Sequence, residues 1–132
     1  MSDIETTTVS EEGYACTSQV GDFDLQIDAA EETGPNPNAS LVATYASCFI
    51  PAFRVGAQQR GEEDLGKLQI DASAELDDDD DLASIDFDLH VEADHDDDTF
   101  DEIVGRAEGI CHVHAALRDE LEADVSVRGG AF

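Results

Sequence analysis

Two cysteines far apart in the chain, Cys48 and Cys111, carry the chemistry that this sequence can be read for. A thiolate is a nucleophile and a reductant, and two thiols that meet in a fold can pass through a sulfenic acid to a disulfide. Their separation matches neither a CxxC redox motif nor a zinc knuckle. Read by itself, each is as well explained as a small buried residue. His112 and His114 flank the second cysteine. They read either as a base, hydrogen-bond partner or metal ligand beside a thiol, or as ordinary surface or interface histidines, and the plainer reading is preferred. A structural zinc wants four ligands. Only Cys111, His112 and His114 cluster, so no metal or other cofactor is expected. Cys16, at an inward-facing position of an alternating run, reads as core.

The elements that must position these residues follow from apolar periodicity. Tyr14, Cys16, Ser18 and Val20 alternate with polar residues, then Gly21-Asp22, then Phe23, Leu25 and Ile27. This predicts a β-hairpin. Asn36 and Pro37 are suited to the cap and first position of a helix carrying Leu41, Val42, Tyr45, Ala46, Cys48 and Phe49 and reaching about Gln59, with Gly61 as the stop. Pro51 predicts a kink or break inside it. Leu68 to Leu76 and Ile85 to Ala93 alternate as two half-buried strands. Residues 77–81 between them form a solvated acidic turn, without the glycine that a calcium loop needs. Thr99 or Asp98 is expected to cap a helix bearing Phe100, Ile103, Val104, Ala107 and Ile110. Gly105 and Gly109 allow close helix packing. A short helical stretch at Ala115, Ala116 and Leu117 and a strand at Val125 and Val127 follow. The order predicts an α+β fold with a mainly antiparallel sheet. It forms a single domain over residues 13–128, between a frayed start (1–12) and a flexible end (129–132). The helix around Cys48 is apolar on nearly all sides, which a small domain hardly buries alone, so a dimer is expected.

The charge is the other strong signal. There are 33 Asp+Glu against 6 Lys+Arg, a formal net charge of −27, spread over every segment. Such a chain repels itself in dilute salt. At about 1 M salt the screening length falls to about 3 Å, so the composition reads as adaptation to molar salt. Nucleic-acid binding is disfavoured because there is no basic patch to meet phosphates. The start, Met1-Ser2-Asp3-Ile4-Glu5, has neither a basic nor an apolar stretch, so no secretory signal is expected. No apolar run of about 20 residues, as a bilayer span needs, is expected. A cytoplasmic protein without membrane contact is the expectation, and three cysteines there point to thiol chemistry or burial.

Two segments carry a resemblance. Asn36-Pro37-Asn38-Ala39-Ser40-Leu41-Val42-Ala43-Thr44-Tyr45-Ala46-Ser47-Cys48-Phe49 resembles the turn and small-residue helix around the first cysteine of OsmC/Ohr proteins. Ala107-Glu108-Gly109-Ile110-Cys111-His112-Val113-His114-Ala115-Ala116-Leu117 is similar to their second segment, in which a helix ends at a cysteine. The resemblance spans about residues 13–127. It implies an OsmC-like fold, an intertwined homodimer with the cysteine-bearing helix buried at its centre, and a thiol peroxidase acting on organic hydroperoxides. Cys48 would be the attacking thiol and Cys111 its disulfide partner, with a dithiol reductant to reopen the bond. The family's activating arginine and glutamate are not matched. No Lys or Arg precedes Arg54, Asn38 stands at the glutamate position, and Arg54 lies roughly 240° round the helix from Cys48. An arginine of a second subunit (Arg60, Arg106 or Arg118) is the remaining source of charge. The alternative is a non-enzymatic protein on the same fold that binds a small hydrophobic ligand, its cysteines merely packed.

Overall fold

The computed structural model describes residues 2–132. Its elements are β1 (Thr6–Val9), β2 (Ala15–Val20), β3 (Phe23–Asp28), α1 (Pro37–Gln59), β4 (Leu68–Leu76), β5 (Leu82–Val91), α2 (Asp97–Ile110), α3 (His112–Ala116), a 3₁₀ turn (Asp119–Leu121) and β6 (Asp124–Arg128). The α+β class holds, but the strands form two three-stranded sheets, β1-β2-β3 and β4-β5-β6. Internal contacts divide the chain into two compact units, one up to Leu41 and one from Val42 to Phe132.

In the first unit the expected hairpin is in place, with Val20 opposite Phe23 and Cys16 opposite Ile27. The first dozen residues, expected to fray, contribute β1, which pairs antiparallel with β2 from Thr6↔Val20 to Val9↔Thr17. All four β1 residues are exposed, so backbone pairing holds this strand without a buried side chain to announce it. The loop after β3 closes on Asp28, which is 3% exposed. Its carboxylate accepts from the amides of Ala30 (2.8 Å), Glu32 (3.2 Å) and Thr33 (3.1 Å) and from the Thr33 hydroxyl (3.1 Å). These donors, the Ala30 amide foremost, hold the acid below its ordinary range.

Helix α1 starts as expected, the Asn36 side chain accepting from Ala39 N at 2.7 Å. It runs through Pro51 without a break. Pro51 is exposed, and losing one backbone donor does not end a helix whose opposite face is packed. That face buries Tyr45, Phe49, Ala52, Phe53, Gly56 and Ala57. By length and composition α1 is apolar enough to cross a membrane, contrary to the expectation that no run reaches that length. In this fold its apolar residues line the core of the second unit.

That core is layered on the β4-β5-β6 sheet. β4 and β5 are antiparallel with Ile70↔Leu89, Ala72↔Phe87 and Ala74↔Ile85, while β6 pairs parallel to β5. Ile85, Phe87, Leu89 and Val91 are buried with Phe100, Ile103, Ala107 and Cys111. Phe87 packs against Tyr45 (centroids 4.7 Å apart) and edge-on against Phe49 (5.6 Å). The close approach of α1 and α2 is at Gly56, where a Cβ would lie 3.1 Å from Arg106 Cβ and 3.2 Å from the Ile103 carbonyl oxygen. Gly105 and Gly109, expected to serve packing, face open space instead. The cap of α2 is Asp96, its carboxylate accepting from Thr99 N at 2.8 Å, two residues before the expected Asp98 and three before Thr99. The end expected to be flexible is tied down, with Gly130 N donating to Ala93 O and Ala131 N to Val91 O.

Candidate active site

Cys48 and Cys111 lie together in the second unit, and the local folding around Cys111 explains how. Helix α2 ends at Ile110 because Cys111 turns extended (φ −69°, ψ 112°), its amide still donating to Ala107 O. The next residue begins α3, so Cys111 closes one helix and opens another. Its sulfur accepts from His114 N at 3.4 Å, as a serine oxygen would at a helix cap. The opening of α3 thereby turns its amides inward. Cys48 reaches the same place from α1, one turn after Tyr45 and on the flank of the packed face, where it is half-buried.

The two sulfurs are polarised in opposite directions. Burial pushes the Cys48 thiol up, but the amides of Val113 and His112 and the thiol of Cys111 all act on its sulfur, and the net effect lowers it below an ordinary thiol. Burial also pushes Cys111 up, and the neighbouring Cys48 sulfur adds to this. The amides of His114 and Val113 offset only part. Of the pair, Cys48 is therefore the more acidic thiol and Cys111 the less acidic one. Cys16, Cys48 and Cys111 are all free thiols.

None of the groups that act on Cys48 is a cation. Arg54 donates to the Gly66 carbonyl at 2.8 Å, turned away as its helical position predicts. The three arginines considered as donors from a second subunit are engaged within their own chain. Arg60 pairs with Glu102, Arg106 with Glu102 and Gln59, and Arg118 with the Leu82 carbonyl (2.6 Å) and Glu120. Within the chain, the lowering influences on Cys48 are the backbone amides of Val113 and His112 and the Cys111 thiol.

Of the two histidines, His112 is exposed as the plainer reading has it, but His114 is not an ordinary surface residue. Its Nδ1 lies 2.5 Å from the Tyr45 hydroxyl and its Nε2 3.5 Å from Glu122 Oε1. The Tyr45 hydroxyl also accepts from Ala123 N at 3.0 Å. Burial first, and then the neighbouring Cys111, Glu108 and Glu122, raise the Tyr45 phenol. A phenol that keeps its proton can donate it to His114 Nδ1, and the other ring nitrogen faces Glu122. Sequence reasoning missed Tyr45, which looked like one more apolar position of α1. Cys16 is half-buried on β2, with its sulfur 3.9 Å from the Tyr14 carbonyl oxygen.

Comparison with known proteins gives the family and the fold. The family model described as OsmC-like protein matches residues 30–126. An uncharacterized protein of Haloferax volcanii is 73% identical over 132 residues, covering 100% of both chains. Among solved structures, the OsmC-like protein of Mycoplasma pneumoniae superposes with a TM-score of 0.83 at 19% identity, covering 97% of each chain. The organic hydroperoxide resistance protein OhrB of Bacillus subtilis superposes with a TM-score of 0.70 at 23% identity, covering 95% of this chain and 97% of that one.

Proposed function

The chain belongs to the OsmC-like protein family, and from that premise we propose that it is a thiol peroxidase that reduces organic hydroperoxides. Cys48 is the attacking thiolate and Cys111 the resolving thiol. The observation that carries this reading is the contact between the two sulfurs with opposite polarisation, Cys48 toward thiolate and Cys111 toward thiol.

The chemistry balances as follows. The Cys48 thiolate attacks the terminal oxygen of the hydroperoxide and the O–O bond breaks. Cys48 becomes a sulfenic acid, and the leaving alkoxide takes up a proton to depart as an alcohol. The Cys111 sulfur then attacks the Cys48 sulfur, the S–O bond breaks, and water leaves as the disulfide forms. The peroxide has gained two electrons and the dithiol has lost them. An external dithiol reductant restores both thiols by exchange. The alternative of packed, unreactive cysteines expects the sulfurs apart, and their contact counts against it.

The reading extends to the assembly and its surroundings. A second copy of the chain is the expected partner, because α1 leaves Pro51 and Val55 exposed away from its packed face. The even spread of 33 acidic residues favours work in molar salt, in the cytoplasm. The test is hydroperoxide consumption in molar salt with a dithiol donor. Wild type should turn over an alkyl hydroperoxide, and Cys48→Ser should lose at least about a hundredfold while still folding. Equal, slow consumption by both chains would end the peroxidase reading.

A further inference from the structure

The donors on Cys48 come from α3, a helix of five residues, and so short a helix is not held by its own hydrogen bonds. Its polar tether is the His114 ring. The Tyr45 hydroxyl, fully buried, joins three elements at one atom. It sits on α1 one turn before Cys48, accepts the Ala123 amide from the segment leading into β6, and meets His114 Nδ1 on α3. Glu122, next to Ala123, faces the other ring nitrogen. We propose that Tyr45, His114 and Glu122 form a positioning array that clamps the α3 turn against α1 and thereby sets the reactivity of Cys48.

This inference rests on the reading of Cys48 as the nucleophile, and it assigns the three residues no contact with substrate. The directions of the hydrogen bonds make the array self-consistent. With the Ala123 amide on one lone pair of the phenol oxygen, the phenol proton is available to Nδ1, and a ring that accepts there carries its own proton on Nε2, on the side of the Glu122 carboxylate. The same histidine donates its backbone amide to Cys111, so a shift of the ring moves a donor on one sulfur directly and the Val113 and His112 donors on the other through the turn. Charged and titratable neighbours of the array are Cys111, Glu108 and Glu122. Val113 packs on the core beside it and supplies the apolar half of the anchor.

The test reads the thiol itself and needs no hydroperoxide. The rate of Cys48 alkylation by iodoacetamide is followed against pH on the intact chain in molar salt, with mass spectrometry to resolve the three cysteines and circular dichroism to check the fold. Tyr45→Phe keeps the buried ring and removes only the hydroxyl, and His114→Ala removes the tether. Each should move the Cys48 midpoint up by about one pH unit, about tenfold slower alkylation at neutral pH. His114→Gln, whose amide oxygen can accept from the phenol, should recover most of that loss. Glu122→Gln, on the exposed rim, should move the midpoint upward by a smaller step, about twofold in rate. An unmoved midpoint in folded Tyr45→Phe, or equal shifts in His114→Ala and His114→Gln, would overturn the proposal. If His114→Ala does not fold, Tyr45→Phe and Glu122→Gln decide by the same criterion. A wild-type chain that alkylates readily but consumes no hydroperoxide would count against the peroxidase reading alone.

Discussion

The two three-stranded sheets are written in the same alternating code and end with different surfaces. In β4-β5-β6 the apolar face is covered, with Ile85, Phe87, Leu89 and Val91 buried. The opposite face carries Asp71, Asp86, Asp88 and Asp124, with Asp71 across from Asp88 and Asp86 across from Asp124. In β1-β2-β3 the matching face carries Phe23 at 75% and Leu25 at 50% exposed, paired across the strand with Val20 and Ser18. Alternation states which face of a sheet is apolar and is silent on what covers it. The second sheet completes its core with α1 and α2 of its own unit and has Cys48 and Cys111 at the edge of that core. The first sheet holds Cys16 among half-exposed neighbours.

The contrast breaks most visibly in stability. Phe87→Ala removes a ring that touches Tyr45 and Phe49 and should cost about 3–5 kcal/mol in urea unfolding. Phe23→Ala should cost under about 0.5 kcal/mol of the unit's own folding, because the ring is mostly in water already. Phe23→Asp asks what covers that face. If a second copy does, sedimentation should show dimeric wild type and a variant displaced toward monomer. A monomeric wild type would refute the dimer.

A smaller effect separates the outer faces. Like charges directly across a strand pair repel, so Asp86→Asn should raise stability by about 0.2–1 kcal/mol in dilute salt. The gain should vanish in molar salt, where the screening length is about 3 Å. A gain that persists at high salt would mean local packing in place of charge.

The smallest effect is at Asp28, the one buried acid of the first unit. Its folded carboxyl is held below the unfolded value, so its stabilisation is present above the ordinary carboxylate range and lost as pH falls through the folded value. Asp28→Asn should therefore lower the thermal midpoint at neutral pH. The gap to wild type should close on acidification below about pH 4. A constant gap would assign the effect to shape alone.

Much of this architecture was legible because each element carried its own signal. The caps at Asn36 and Gly61 bracket α1, and the alternations of β2, β3 and β4 match the observed strands nearly residue for residue. β1 escaped because Thr6, Thr7 and Thr8 bury nothing, so there is no apolar alternation to read. The helix survived Pro51 because its packed face holds the turns on either side. Both site cysteines were singled out through resemblance. Their contact, however, depends on α2 ending at Cys111 and a new helix starting at once, a local event that periodicity does not encode. The missing arginine looked like a defect until the amides of Val113 and His112 came into view. Backbone donors leave no mark in a sequence. His114 was undervalued for the same reason, its partner Tyr45 being counted only as apolar.

The dithiol account is tested most directly by treating the reduced chain, in molar salt, with one equivalent of an alkyl hydroperoxide and mapping its sulfurs by mass spectrometry. A Cys48–Cys111 disulfide formed within seconds, with Cys16 still a free thiol, is the predicted result. Three unmodified thiols after that exposure, or oxidation spread evenly over all three, would contradict it.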